Sequence, residues 1–330
     1  MFSASQSLWV AVSLFLLLTA SLRAQEGRLL ELQGQVFLGP QVPHEDVKAL
    51  VRISRVSEPY SAQTWSDRKG RFKFSNLPPG TYTLSVMPRN GAEEQKTIEV
   101  TASFANAQGI VTTTITLTRA GAPRSTSGQG TVGVRELSIP EAACREFLRA
   151  NEQLEKRNLK ETIRHLEKAV ALAPQFVEAL NQLGTIYYQT RDYARAEGYF
   201  RQALAQDPDA FPPLLNLGGA LVSLGRYEEA LQINRQAVAA QPEDVLANSQ
   251  LGLCYMMLGK YEEARTYLAK AKALDPGHFS LPQLPLAEIY LREGSKQSAL
   301  RELEDFLTRH PDSPLADKVR EQILRLRSQK

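Results

Sequence analysis

A chain of 330 residues has room for two domains, or for one domain and a repeat array. With 43% hydrophobic and 23% charged residues, its composition is that of a folded protein, not of a disordered or fibrous one. Thirty-nine basic and 36 acidic side chains leave a net charge of +3, too small to draw in nucleic acid or an anionic membrane.

Residues 8–20 (LWVAVSLFLLLTA) carry no charge. As a helix they reach roughly 20 Å, too short for a hydrocarbon core of about 30 Å. Ser21-Leu22-Arg23-Ala24-Gln25 comes next, so residues 1–24 read as a secretory signal peptide cut after Ala24. Residues 2–7 contain no Lys or Arg, and the alternative is a short uncleaved anchor. That anchor would be the one tie to a membrane, because no later segment could span one. The expected location is secreted or periplasmic. Two cysteines, Cys144 and Cys254, do not make a disulfide framework, and no CxxC or Cys/His cluster supplies a zinc site.

Residues 26–119 alternate with period two and are rich in β-branched and aromatic side chains. Strands are predicted at 35–38, 49–53, 71–74, 81–86, 97–100 and 111–117. Gly39-Pro40, Asp67-Arg68-Lys69-Gly70, Pro78-Pro79-Gly80 and Asn90-Gly91 supply the turns. Phe72 and Phe74 face one way, Arg71 and Lys73 the other; Tyr82, Leu84 and Val86 repeat the alternation. One wet and one dry face per strand predicts a small antiparallel β-sandwich of six or seven strands. Residues 120–131 (AGAPRSTSGQGT) then form a flexible linker without a large apolar side chain. Val132, Val134, Leu137 and Ile139 resume an apolar pattern that docks on the next unit, and Pro140-Glu141 starts a helix with Ser138 as its cap.

The remainder, 132–330, is repetitive. Pro174, Pro208, Pro242 and Pro276 recur at a constant step of about 34 residues, and Pro311 comes one position late. Ala150, Gly184, Gly218, Gly252 and Ala287 recur in phase, as do Ala196, Ala230, Ala264 and Ala299. Small side chains belong where two helices cross closely, and proline cannot continue the second helix of each pair. The pattern predicts five helical hairpins and a closing helix over 315–328. With the sandwich, the fold class is multidomain β + α: a small antiparallel β-sandwich followed by an all-α right-handed solenoid.

These repeats resemble the tetratricopeptide repeat family. Residues 177–210 (VEALNQLGTIYYQTRDYARAEGYFRQALAQDPDA) and 245–278 match its pattern nearly throughout. Residues 211–244 fit with Asn234 at a usually apolar or aromatic site. The first unit carries Arg149, Gln153 and Thr162 where Leu, Tyr and Ala are usual; the fifth carries Pro282 and Pro285, and its first helix is expected to begin only at Pro285. Residues 66–74 (SDRKGRFKF) and 76–84 (NLPPGTYTL) resemble the carboxypeptidase regulatory-like family, a transthyretin-like sandwich. That second resemblance implies a non-catalytic accessory module, in a fold grouped with carbohydrate-binding ones.

The tetratricopeptide resemblance implies that the first helix of each hairpin lines a concave groove for a protein partner. Its inward positions are Phe147, Asn151 and Leu154; Asn181, Thr185, Tyr188 and Gln189; Leu215, Gly219, Val222 and Ser223; and Ser249, Leu253, Met256 and Met257. The Lys and Arg of a carboxylate clamp are missing there, so an apolar segment or helix is the expected ligand; the same residues could instead pack beneath neighbouring hairpins. Trp65 and Tyr60 are candidates for a sugar platform, although core packing is the role expected of Trp65.

The histidines are spread over His44, His165, His278 and His310, of which the last three are expected on the surface. Glu228-Glu229 and Glu262-Glu263 recur at one phase and read as helix-start charge. With no GxSxG, HExxH or GxxxxGK[ST] motif, neither catalysis nor a cofactor is expected. The function expected is a non-catalytic interaction scaffold of the cell envelope. The alternative is a carbohydrate-binding accessory protein that uses the sandwich, with the solenoid as spacer or platform.

Overall fold

The structure, a computed structural model, describes residues 29–38, 48–88, 94–117 and 139–328. The signal segment, the linker, Ser138, His44, Gly39-Pro40 and Asn90-Gly91 lie outside the described residues.

Among the described residues, seven strands form the N-terminal unit: β1 (Leu30–Leu38), β2 (Ala49–Arg55), β3 (Ser61–Trp65), β4 (Arg71–Leu77), β5 (Gly80–Pro88), β6 (Glu94–Val100) and β7 (Ile110–Leu117). They make two sheets, ordered β4-β1-β7 and β3-β2-β5-β6. Their pairings are antiparallel except one: β1 runs parallel to β7, with Leu32 beside Val111 and Val36 beside Ile115. The first and last strands of the unit enter its three-stranded sheet in the same direction, which alternation alone does not reveal.

The dry faces meet as the period-two pattern requires. Leu32, Val36, Phe72, Phe74, Val111 and Ile115 from one sheet face Val51, Ile53, Tyr82, Leu84, Val86 and Ile98 from the other. Gly34 is where Phe72 lies down on β1; a Cβ there would sit 2.1 Å from the ring. Asp67 accepts from the Lys69 and Arg71 amides, both at 2.9 Å, so the turn closes on its own carboxylate. Gly70 takes φ +75 beside the Val36 carbonyl, a place no other residue fits. In the LPPGTY segment the Tyr82 hydroxyl donates to the Pro78 carbonyl at 2.7 Å, and Arg55 donates to the Pro79 carbonyl at 2.9 Å.

Eleven helices follow among the described residues: α1 (Glu141–Glu155), α2 (Leu159–Leu172), α3 (Val177–Gln189), α4 (Tyr193–Gln206), α5 (Phe211–Ser223), α6 (Tyr227–Ala240), α7 (Val245–Met257), α8 (Tyr261–Leu274), α9 (Gln283–Arg292), α10 (Lys296–Arg309) and α11 (Ala316–Ser328). Consecutive pairs pack as five hairpins, each against the next, and α11 closes the stack. The small residues do what their phase implies. A Cβ on Gly184 would meet Phe200 at 2.4 Å, and one on Gly252 would meet Leu268 at 2.6 Å. At the same place in the third hairpin Gly218 faces Asn234, fully buried, which donates to the Cys254 sulfur at 3.3 Å.

Within each hairpin the chain turns through one left-handed residue: Arg157, Arg191, Gly225, Gly259 and Gly294, all with φ between 57 and 75. The fifth hairpin departs from expectation. Its first helix begins at Gln283, not at Pro285. Pro285 falls within the first turn, where an amide has no helical acceptor to lose, and Leu281 absorbs the extra residue at φ 52.

Three histidines overturn the surface reading. His165, His278 and His310 are 9%, 8% and 2% exposed. His165 on α2 reaches Glu146 on α1 at 2.7 Å, and Lys168 and Arg149 join the same carboxylate at 2.9 and 2.8 Å. The bonds from His165 and then Lys168 hold the Glu146 carboxyl down at about 2. His278 is kept neutral by burial and by neighbouring His310, its pKa lowered to about 3, while its Nδ1 accepts from the Ser280 amide at 3.1 Å. Cys144 and Cys254 are both free thiols, and burial pushes the Cys254 thiol up to about 11.

Candidate partner-binding groove

The first helices α1, α3, α5, α7 and α9 carry the candidate groove. Successive hairpins advance by one nearly constant step along the chain, so equivalent side chains line up from one first helix to the next.

The first three hairpins place amides there. Gln182 donates to Asn151 at 2.9 Å, and Asn216 donates to Asn181 at 3.0 Å and to the Thr185 hydroxyl at 3.4 Å. Gln250 takes the equivalent place one hairpin further on, where a Cβ on Gly219 would lie 2.7 Å from its amide nitrogen. Gln182, Asn216 and Gln250 stand one repeat apart. That spacing is visible in the sequence, but a row of amides leaves no mark on an apolar periodicity.

The remaining candidates divide. Phe147 is half-buried against Phe176, ring centres 4.9 Å apart. Tyr188 packs on Tyr193 at 5.3 Å and meets the Ser223 hydroxyl at 3.3 Å; burial raises its phenol above the usual value. Leu215, Leu253, Met256 and Met257 are half-buried and keep apolar surface in reach of solvent. Four of the inward positions are buried, Ser249 at 0% exposure and Leu154, Gly219 and Val222 with it, so these pack beneath neighbouring helices instead of lining an open groove. Phase gives a side chain its direction, but the size of its neighbours decides how deep it lies.

Gln189, at the C-terminal end of α3, points at the sandwich. It donates to the Arg55 and Val56 carbonyls at 3.2 and 3.4 Å. Beside it the Arg157 guanidinium covers the Tyr60 ring at 4.9 Å. Tyr60 is also wedged edge-on against Tyr82 at 6.4 Å, so it is not an open platform. A second contact comes from the loop after α10. Asp312 accepts from the Thr101 and Ser103 hydroxyls, both at 2.6 Å, and from the Ser103 amide at 3.3 Å. It thereby caps the short turn Ala102–Phe104, whose own Thr101 makes no side-chain cap. Burial opposes ionisation of Asp312, but the bonds from Ser103 and Thr101 outweigh it and hold the carboxyl below its ordinary value. His310 meets Glu99 at 3.2 Å.

Trp65 does not join the sandwich core. It is 53% exposed, with Lys48 5.7 Å from its ring centre, and it stands across from Leu50, which in turn pairs with Met87.

The recurring carboxylates stay at the first turns of their helices, and ion pairs link neighbouring hairpins. Glu229 on α6 pairs with Arg201 on α4, and Arg226 pairs with Glu197 on α4 at 2.7 Å. Arg265 on α8 pairs with Glu262 and reaches Glu293 at 2.9 Å. Among the described residues no three His, Cys, Asp or Glu side chains gather where they could hold a metal ion. No described helix is long and apolar enough to cross a membrane.

Hairpins stacked in register, with equivalent first-helix side chains in a row, define a helical-repeat solenoid of the class built to present a binding surface. Residues 147–211, 189–249, 225–283 and 284–313 match models described as tetratricopeptide repeat, and over this half of its length the chain belongs to the tetratricopeptide repeat family. Similar solved structures include MamA from Desulfovibrio magneticus RS-1, 23% identical over 54% of this chain and 99% of that one, with a TM-score of 0.48. YrrB, described as a protein of this repeat class with an unusual peptide-binding site, is 25% identical over 54% of this chain and 92% of its own, with a TM-score of 0.46. PilF of Pseudomonas aeruginosa is 23% identical over 58% and 94%, with a TM-score of 0.46. No curated protein matches the chain.

Proposed function

We propose that the protein is a non-catalytic scaffold of the cell envelope whose solenoid binds an apolar peptide or helix of a protein partner. The observation that carries this reading is the half-buried apolar surface of Leu215 on α5 and Leu253, Met256 and Met257 on α7, beside the row of amides that runs from Asn151 to Gln250. Amides suit the backbone of an extended segment, while the unbranched methionines beside them adapt to its apolar side chains. A preformed surface binds without first ordering itself. The apolar segment at 8–20 supports export to the periplasm or outside the cell.

The test is capture of partners from an envelope extract by the full chain, followed by titration calorimetry. Met256→Glu places a carboxylate in the apolar row and is expected to weaken binding at least tenfold with unchanged circular dichroism. Binding at wild-type strength would put the interface elsewhere.

A second reading rests on Trp65. Its exposed ring, next to Leu50 and Met87 on the outer sheet face, supports a sugar-binding role for a carboxypeptidase regulatory-like module, with the solenoid as spacer. Glycan-array binding lost in Trp65→Ala would favour it, and no glycan signal from the wild type would dismiss it.

A further inference from the structure

The contacts between sandwich and solenoid come from opposite ends of the helical stack, the first of them where α1 also packs against β3, yet they meet the sandwich along one edge. Gln189 and Arg157 belong to the second and first hairpins; His310 and Asp312 follow the fifth. On the sandwich, the Arg55 amide bonds the Tyr60 carbonyl, the Val56 amide bonds the Thr81 carbonyl, and Thr81 pairs with Glu99. The touching residues therefore lie across the end of the sheet β3-β2-β5-β6, three strand spacings or about 15 Å in all. A straight stack would separate the second hairpin from the loop after the fifth by roughly 30 Å, at about 10 Å per hairpin layer. The arc of hairpins is curled so that its ends reach one sheet end.

The join is polar. The sandwich core and the solenoid core are separate apolar clusters, and beside the packing of α1 on β3 the two units are tied by hydrogen bonds, a His–Glu contact and a cation–ring contact. Such contacts exchange readily with water and hold domains together without fixing them. Gln189 is also one of the groove positions, and its amide is already spent on the sandwich.

We propose that the sandwich is an intramolecular clasp: it bridges the two ends of the solenoid arc and covers the Gln189 end of the groove until it is released. The covering of a partner site rests on the groove reading above; the bridging does not. Release at the Asp312 end frees the Gln189 end, because one rigid sheet edge carries both contacts.

The test uses the full chain with Cys144→Ser and Val56→Cys, which keeps the backbone carbonyl that Gln189 bonds, and reads the rate at which a maleimide labels position 56 beside that contact. Cys254 is buried and does not compete. Asp312→Ala, at the far end, removes a carboxylate that accepts three hydrogen bonds and is expected to speed labelling about tenfold or more. The pair Thr101→Val with Ser103→Ala removes the hydroxyl bonds from the sandwich side and should act alike, with helical circular dichroism unchanged in both. Labelling that is equally fast with and without Asp312 overturns the clasp. No partner enters the assay, so this result is independent of the Met256→Glu titration.

Discussion

Asn234 occupies a place that Phe200 fills in the second hairpin and Leu268 in the fourth. Its side chain is fully buried, its Oδ1 has no partner, and its Nδ2 finds only the Cys254 sulfur. Asn234→Leu removes an unpaired buried acceptor, worth about 1–3 kcal/mol, and buries apolar surface in its place, worth about 1.5–3 kcal/mol. Against this stand the lost N–H···S bond, about 0.5–1 kcal/mol, and the overpacking of a slightly larger side chain, about 1 kcal/mol or more. Gly218 keeps the site open, as Gly252 does for Leu268. The net expectation is about 2 kcal/mol of added stability, which raises the melting midpoint by roughly 4–8 °C in a unit of this size. Thermal unfolding followed by far-ultraviolet circular dichroism measures it. A midpoint unchanged or lowered would mean that the third hairpin needs the Asn234–Cys254 contact, and that period-based substitution fails there.

Other substitutions probe the turns and the buried charges. Arg191 holds a left-handed turn that glycine occupies in the last three hairpins, so Arg191→Gly should gain roughly 1 kcal/mol in urea unfolding. Arg157→Gly should gain less than the backbone term alone, because Arg157 also covers Tyr60; a full gain of roughly 1 kcal/mol would discount that contact. Acid should weaken the fold in two windows. His278 is depressed to about 3 from 6.5, so the unfolded chain binds the extra proton and stability falls as pH drops from about 6.5 towards 3. Glu146, held at about 2 against 4.5, contributes stability that is present above about 4.5 and lost as pH falls towards 2. His278→Asn should flatten the decline in melting midpoint through the upper window, and Glu146→Gln the decline through the lower one. Curves parallel to wild type in those windows would count against both assignments.

The solenoid was legible because its rule is sterically severe: Gly184 and Gly252 admit no Cβ, and prolines cannot continue a helix, so both recur at one fixed step. The Asp67–Gly70 turn was equally plain, since a carboxylate that bonds two amides and a glycine at φ +75 leave few alternatives. Burial of polar side chains was not legible. His165 is inside because Glu146 lies nineteen residues earlier on the facing helix, and His310 because Glu99 of the sandwich comes to meet it. Such partners have no fixed spacing. Trp65 illustrates the reverse case, an aromatic expected inside that stands at 53% exposure because its register sets it opposite Leu50, on the face turned away from Ala49, Val51 and Ile53. In the groove, Val222 and Ser249 lie deeper than their phase in the repeat suggests, and Gln189 meets the sandwich, a partner that no repeat spacing encodes.

The parallel pairing of β1 with β7 has a consequence for synthesis. The central strand of the three-stranded sheet waits for the last strand of its unit, which leaves the ribosome well after it. Each helical hairpin needs only the one before it. During translation the hairpins can add one at a time, whereas the β unit must close in a single late event, and a chain interrupted before Ile110 would leave Leu32 and Val36 without their neighbours on that side.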